Sequence, residues 1–374
     1  MTAELMTRSV MADPNSAPAG VAAGISWYQV REIASAGATG SSGEPVTDDT
    51  VFDLASVTKV AATTCTLQRL AALGEVNVDD PVRTFLPDSP CTDDTTLADL
   101  LSHRAGLWEW QPLYLSGRDP WQTINDLPLR YAPHSGRHYS DLGFMLLGRI
   151  ISKITGLPLD GAVSELVTGP LGLSSMVFRP KSPQQFCAAA EPRPVPGIAS
   201  SAWGDDAERQ MVATGEPYPI VVDKIDFSWR TTEICGEVDD GNSFYAFGGI
   251  SGHAGLFSTV GDLLTLAASL ASETYELWGE QASARFFADG PDAGQALGWR
   301  SMPIRLEGRR TRMLWHHGFT GTAVGFIPHN GFAVAMVTNR LLAGRPVPTR
   351  ELWEPALETI SALTLEEDKE GMTR

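Results

Sequence analysis

The sequence predicts an α+β fold: an antiparallel sheet built from both chain ends, flanked by helices, with a mostly helical lobe inserted between. Three observations carry this. Short alternating apolar segments occupy residues 21–30 and 32–38, and similar ones return only at 312–339. Between them the apolar residues follow a helical period. No internal repeat or linker separates independent units, so residues 20–363 read as one catalytic-sized domain. The sheet lobe covers about 20–78 and 290–363, and the helical lobe about 79–289. Residues 1–19 are polar, carry Pro14 and Pro18, and read as a flexible segment; 364–374 read as a tail.

In chain order, Val21–Val30 and Glu32–Ala38 predict two strands around a turn. Val51–Ala55 leads into a helix running to about Leu73, with Gly74 as its stop. Val60, Ala61, Leu67, Leu70 and Ala71 give that helix a buried stripe. Thr96 caps a second helix. Asp141–Ile154 makes another, closed by Gly156, followed by Leu157–Leu166. Pro183, Pro192, Pro194 and Pro196 punctuate residues 182–240, which read as a surface excursion forming a pocket rim. Gly261–Leu277 is helical again. Segments 312–318, 322–328 and 331–339 predict successive strands, with a hairpin turn at His329–Asn330. Val347–Leu363 predicts a closing helix.

The chain has 374 residues, 43% hydrophobic and 20% charged, as a packed globular protein requires. Its formal net charge of −17 repels phosphate backbones and anionic bilayers, so nucleic-acid and membrane-surface roles are excluded. No stretch reaches the length of a membrane span. The first residues show no secretory pattern, which points to the cytoplasm unless a leader has been removed. The 4 cysteines form no CxxC and the 7 histidines no HExxH, so neither a metal site nor a cofactor is expected. The sequence sets no oligomeric state.

Chemistry enters at Ser56 and Lys59. A serine needs a base to become a nucleophile, and a lysine one helical turn on lies on the same face. Lysine is scarce here: besides Lys59 there are only Lys153, Lys181, Lys224 and Lys369, and none of these has a serine three residues before it. Tyr139-Ser140-Asp141 opens a helix after a Gly-containing loop. Leu101–Leu107 is a compact turn. Gly249–Thr259 is Gly-rich, and Trp315–Thr322 contains His316-His317-Gly318 on a predicted strand.

Taken in order, these segments resemble the serine β-lactamase and penicillin-binding-protein superfamily. The likeness is greatest to the group of class C β-lactamases, D-amino-acid peptidases and related esterases. It covers about residues 20–363 and implies a β-lactamase/transpeptidase-like fold. It implies that Ser56 is the acylated nucleophile, Lys59 its proton partner and Tyr139 a relay toward the leaving group. His316-His317-Gly318 stands where many members carry Lys-Thr-Gly. The backbone N–H groups of Ser56 and Phe319 would form the oxyanion hole, with Gly318, His317 and Asp141 beside the substrate.

A serine at a helix N-terminus also feels the positive end of the dipole, which favours developing negative charge. Holding Lys59 neutral would need a shift of about 3 pKa units, which burial could supply. Lys59 and Tyr139 could instead share one proton. Taken singly, Tyr139 and His316 are ordinary structural residues, and His253 is expected to shape its loop.

Two departures bear on substrate. Histidine at 316 gives a weaker positive field than lysine. Asp141 stands where asparagine is common; ionised, it cannot donate to an amide carbonyl, and it opposes deprotonation of Lys59 unless protonated or paired, with Arg137 a nearby candidate. The expected activity is a serine hydrolase working through an acyl-enzyme, foremost a carboxylesterase on neutral esters. A D-amino-acid peptidase or amidase, or a weak β-lactamase, is the alternative within enzymes. A catalytically silent ligand-binding protein is the alternative outside them. The partners expected are therefore small ester, amide or peptide substrates. An α/β-hydrolase is excluded, because Gly249-Ile-Ser-Gly-His breaks the Gly-x-Ser-x-Gly elbow at its last position.

Overall fold

Alternation of side chains along a strand sends neighbouring residues to opposite faces, and here both faces are apolar. The computed structural model describes residues 2–180, 197–214, 227–274 and 276–365. Strands β1 (Gly20–Trp27) and β2 (Val30–Gly37) form the N-terminal hairpin. Two short strands, β3 (Phe52–Asp53) and β4 (Val177–Phe178), pair with β7 (Leu256–Ser258), while β5 (Ser200–Trp203) pairs with β6 (Glu233–Cys235). The C-terminal part supplies β8 (Arg300–Leu306), β9 (Arg309–His317), β10 (Ala323–Phe326), β11 (Ala333–Thr338) and β12 (Leu363–Leu365).

The main sheet has 7 strands in the order β12-β8-β9-β10-β11-β1-β2, with every neighbouring pair antiparallel. The two chain ends therefore meet at β1 and β11, in the register Val21 opposite Thr338. Ala22, Leu314, Val324 and Val337 face the helical body, and Val21, Met313, Trp315 and Met336 face the other way. β11 is buried on both faces, which explains its unbroken apolar run.

The second face is covered by helices Thr2–Val10 and Thr349–Glu358, which pack on each other. This corrects the reading of residues 1–19 as flexible. Met6 and Val10 are buried, and Glu32 accepts the N–H of Thr2 at 2.6 Å and of Ala3 at 3.2 Å. The helical spacing of Ala3, Met6 and Val10 outweighs the polar residues between them, and a carboxylate suits a helix N-terminus. Burying Met6 alone contributes about 2 kcal/mol.

Other boundaries move for physical reasons. The helix expected over 261–277 is Val260–Ala271 and ends at Ser272 in extended backbone. The closing helix is Thr349–Glu358, and the chain then pairs as β12 on β8. β8, absent from the sequence-based strands, alternates poorly because Arg300, Pro303 and Arg305 interrupt it. The rim expected over 182–240 falls partly outside the described residues, including Pro183, Pro192, Pro194 and Pro196. Among the described residues, no single helix is long and apolar enough to cross a membrane.

Candidate active site

The helical run carrying Ser56 is not uniform. It begins as a 3-10 turn at Ala55–Val57, becomes a π-helix at Lys59–Thr64 and continues as an α-helix at Cys65–Ala72. A π segment widens the turn, and such segments occur often at functional sites. Thr64 Oγ1 donates to the Lys59 carbonyl at 2.9 Å, satisfying a group the widened turn displaces. Ala55, just before Ser56, holds φ at 44°, an unfavourable value for a residue with a Cβ. It is kept there by Asp53, whose Oδ1 accepts the Ala55 N–H at 2.8 Å.

Lys59 is fully buried and makes three polar contacts. Its Nζ donates to Ser56 Oγ at 2.9 Å and to the His253 carbonyl at 3.2 Å, and lies 2.7 Å from Asp141 Oδ1. The Tyr139 ring centroid is 5.0 Å from Nζ and that of Phe144 is 5.9 Å. Burial pulls this amine toward its neutral form, but the charge of Asp141 and then of Tyr139 outweighs it, so Lys59 is held above the usual lysine range. Of the two states the sequence left open for Lys59, a neutral amine or a proton shared with Tyr139, the contact with Asp141 opposes the neutral one. Asp141 is paired, and its partner is Lys59; Arg137 makes no ion pair with it among the described residues.

Helix Asp141–Thr155 positions Tyr139 and Asp141. Ser140 caps it, accepting the Gly143 N–H at 3.2 Å and donating to the Trp108 carbonyl at 2.6 Å. His103, which sequence reasoning placed only in a turn, holds the other side. Its Nδ1 accepts the Ser140 N–H at 3.0 Å, and its ring sits 4.5 Å from that of Tyr139. Burial and the charges of Arg137, Lys59 and Arg300 push His103 well below the usual imidazole range, so it stays neutral and can accept.

β9 delivers His316. Its ring lies 6.3 Å from Tyr139, and its Nδ1 donates to the His317 carbonyl at 2.9 Å. Burial, then His317, Arg300, Lys59 and His103, push it well below the ordinary range, so it is neutral with Nε2 free of a proton. His317 points to the opposite face, stacked 5.5 Å from Trp315, and burial and Arg300 push it down to about 3.

The turn after β9 is stapled to the segment before Ser56. Thr320 Oγ1 donates to the Asp53 carbonyl at 2.8 Å, and Thr322 Oγ1 to that of Leu54 at 2.9 Å. A Cβ on Gly318 would stand 2.4 Å from the Leu54 carbonyl oxygen, so only glycine lets the two segments approach. This brings Gly318 against Leu54 and Ala55, with Phe319 next in the chain. Phe319 is 49% exposed, which leaves its position open to solvent. The structure thus gathers Ser56, Lys59, Tyr139, Asp141, His316, Gly318 and Phe319, and turns His317 away.

Two arginines complete the surroundings. The Arg137 guanidinium lies 5.6 Å from the Tyr139 ring centroid, and that of Arg300 lies 5.7 Å from the Trp315 ring. Burial and Arg300 hold Arg137 down to about 10, and burial also lowers Arg300. Neither forms an ion pair among the described residues, and the Nε of each is buried without a hydrogen-bond partner there.

An antiparallel sheet with a serine–lysine pair on its flanking helix, a tyrosine beside the amine and a Gly-closed strand turn defines a serine hydrolase of the β-lactamase/transpeptidase fold. The chain belongs to the Beta-lactamase family, whose model matches residues 12–354. It is 31% identical over 335 residues to a "Putative D-alanyl-D-alanine carboxypeptidase" of Escherichia coli (strain K12), covering 79% of this chain and 70% of that protein. Among solved structures it is similar to a class C beta lactamase from Rhodobacter sphaeroides (TM-score 0.67, 18% identity, 96% of this chain and 97% of that one). It is also similar to a D-amino acid amidase from Ochrobactrum anthropi SV3 (TM-score 0.66, 19% identity, 96% and 99%). These two structural likenesses establish the fold.

Proposed function

We propose that this serine hydrolase cleaves amide bonds in short peptides ending in a free carboxylate, in the manner of a carboxypeptidase. The observation that carries this is the Arg137–Arg300 pair: two half-buried guanidiniums near Tyr139 and His316 with no carboxylate partner among the described residues. Burying two like charges side by side is costly unless an anion joins them, and a planar carboxylate matches a guanidinium fork. The D-alanyl-D-alanine carboxypeptidase named among the relatives supports a D-configured terminal residue. The neutral-ester preference rested on histidine at 316 and on Asp141 in place of asparagine; the arginines return positive charge to the side of 316, which makes simple esters a second reading.

In this reaction Ser56 Oγ attacks the scissile carbonyl and forms the acyl-enzyme. The Ser56 proton enters the Lys59–Tyr139–Asp141 group, which holds its protons jointly, and passes on to the departing amine. Water then attacks the ester and returns Ser56 to its free form. The Lys59 ammonium stabilises charge growing on Oγ, and the N–H groups of Ser56 and Phe319 receive the carbonyl oxygen.

The test compares kcat/KM for a D-alanyl-D-alanine peptide with that for the same peptide amidated at its C-terminus. The free acid is expected to be preferred at least ~10-fold. Equal rates, or faster cleavage of the amide, would overturn the carboxylate reading and return the ester or amidase reading.

A further inference from the structure

Behind Lys59 lies a second titratable cluster that the proposed reaction does not use. His253 is 1% exposed and sits in the Gly-rich loop whose backbone carbonyl receives Lys59 Nζ at 3.2 Å. Its ring is fixed at both nitrogens: Nε2 is 2.9 Å from Asp240 Oδ1, and Nδ1 is 2.8 Å from Ser251 Oγ. Asp240 Oδ1 also accepts the Ser243 N–H at 2.7 Å. One ligating atom each from Asp141, Asp240 and His253 falls within 4.8 Å of the others. The Lys59 ammonium already contacts this group through Asp141 and the His253 carbonyl, so its cation is in place.

The arrangement sets one ammonium between two carboxylates, Asp141 in direct contact and Asp240 behind. Burial pushes the Asp240 carboxyl up, but His253, then the Ser243 N–H and Lys59, hold it below the usual range. Asp240 thus stands as an anion hydrogen-bonded to His253, and Lys59 is among the groups that hold it so. The other titratable groups in this wall are Asp53, Asp239 and Glu208, whose carboxyls burial pushes up, Glu208 to about 8. Arg230 is tied to Asp205, with its Nη2 2.7 Å from Asp205 Oδ1. Glu208 is bound to Tyr114 and to the Gly241 N–H.

We infer that Asp240 and His253 are a positioning pair for the nucleophile: they hold the 253 carbonyl against Lys59 and fix how much negative charge the Lys59 amine feels. Neither touches substrate. The inference rests on Ser56 and Lys59 being the reacting pair, but not on which substrate they take.

The sign of the effect separates this role from a merely structural one. Replacing Asp240 by Asn removes a negative charge near Lys59 while keeping an oxygen for the Ser243 N–H, so the Lys59 proton is held less tightly. Replacing His253 by Gln leaves that charge in place but removes the ring that ties the 253 carbonyl to Asp240 and Ser251. The experiment follows acylation of Ser56 by p-nitrophenyl acetate, with a fluorophosphonate mass label confirming the site, as a function of pH. In Asp240→Asn the rising limb of the rate profile is expected to move down by at least ~0.5 pH unit, whereas in His253→Gln it stays within ~0.2 unit and the acylation rate falls. A limb that stays or rises in Asp240→Asn, or an unchanged rate in His253→Gln, would overturn the inference. Asp240→Asn is nearly isosteric and decides the matter alone if the His253 variant does not fold: a limb that stays or rises refutes the pair. Loss of labelling in Ser56→Ala, run alongside, shows that the underlying serine–lysine reading stands; persistence of the label would sink that reading first.

Discussion

The two walls of the cleft differ in charge, and the difference is sharper than the chain's composition suggests. Behind Ser56 stand Asp141 and Asp240, which act on the buried Lys59, with Asp53 and Asp239 beside Asp240. Around Tyr139 stand Arg137, Arg300 and the neutral histidines 103 and 316. A protein of net charge −17 therefore keeps beside Tyr139 two guanidiniums that have no ion-pair partner among the described residues. The acidic wall holds the Lys59 cation in place, and on the proposed reading the basic wall receives an anion. The lesson is that overall charge, which argues against large polyanions, says little about a small carboxylate, because a local pocket can reverse the field.

The largest effect should come from the acidic wall's central pair. Ser56→Ala should abolish p-nitrophenyl ester hydrolysis, and Lys59→Ala should slow it at least ~100-fold, read in a single-turnover assay. Full activity in the serine variant would end the comparison altogether. Next, Arg137→Met and Arg300→Met should each cut the preference for a free C-terminal carboxylate about 10-fold while leaving p-nitrophenyl acetate hydrolysis within a few-fold of the parent. Equal losses on both substrates would mean that the basic wall is structural.

Asp141→Asn sharpens the acidic side. It removes the carboxylate that holds Lys59 above its usual range, so the rising limb of the pH–rate profile should move to lower pH, by about one unit. An upward move would show that Asp141 itself takes the serine's proton. The smallest expected effect is on stability. Burial pushes Asp53 up to about 6, and burial and Asp53 push Asp239 up to about 7. A carboxyl raised in the folded state contributes stability that is complete below the unfolded pKa near 4 and is lost as pH rises through 6 to 7. Denaturant unfolding at pH 4.5 and pH 8 should show a decline on the order of 2 kcal/mol from this pair. Asp239→Asn should flatten it, and an unchanged slope would show that the two carboxyls ionise freely.

Much of the catalytic side was legible along the chain. Ser56 and Lys59 share a local spacing, Tyr139 opens a helix, and Gly318 ends a strand, so each carries a signal within a few residues of itself. The same holds for the sheet, whose strands at both ends show in their alternation. The sequence also raised the conflict between Asp141 and a neutral Lys59, and the 2.7 Å contact weighs against the neutral amine. The N-terminal helix was missed because prolines 14 and 18 were weighed above the spacing of Ala3, Met6 and Val10. β8 was missed because Arg300 and Arg305 broke its pattern, and Arg300 is the residue that most changes the reading of substrate.

Sequence alone pointed to the candidate nucleophile, its amine and the antiparallel scaffold, because these depend on spacing along a helix or strand and on residue type. Tertiary structure decided the charge state of Lys59, the outward turn of His317, the meeting of Arg137 with Arg300 and the place of His253 behind the lysine. Each of those depends on Coulomb interactions between groups far apart in the chain, whose strength is set by distance and burial. Neither quantity exists until the two chain ends have closed the sheet.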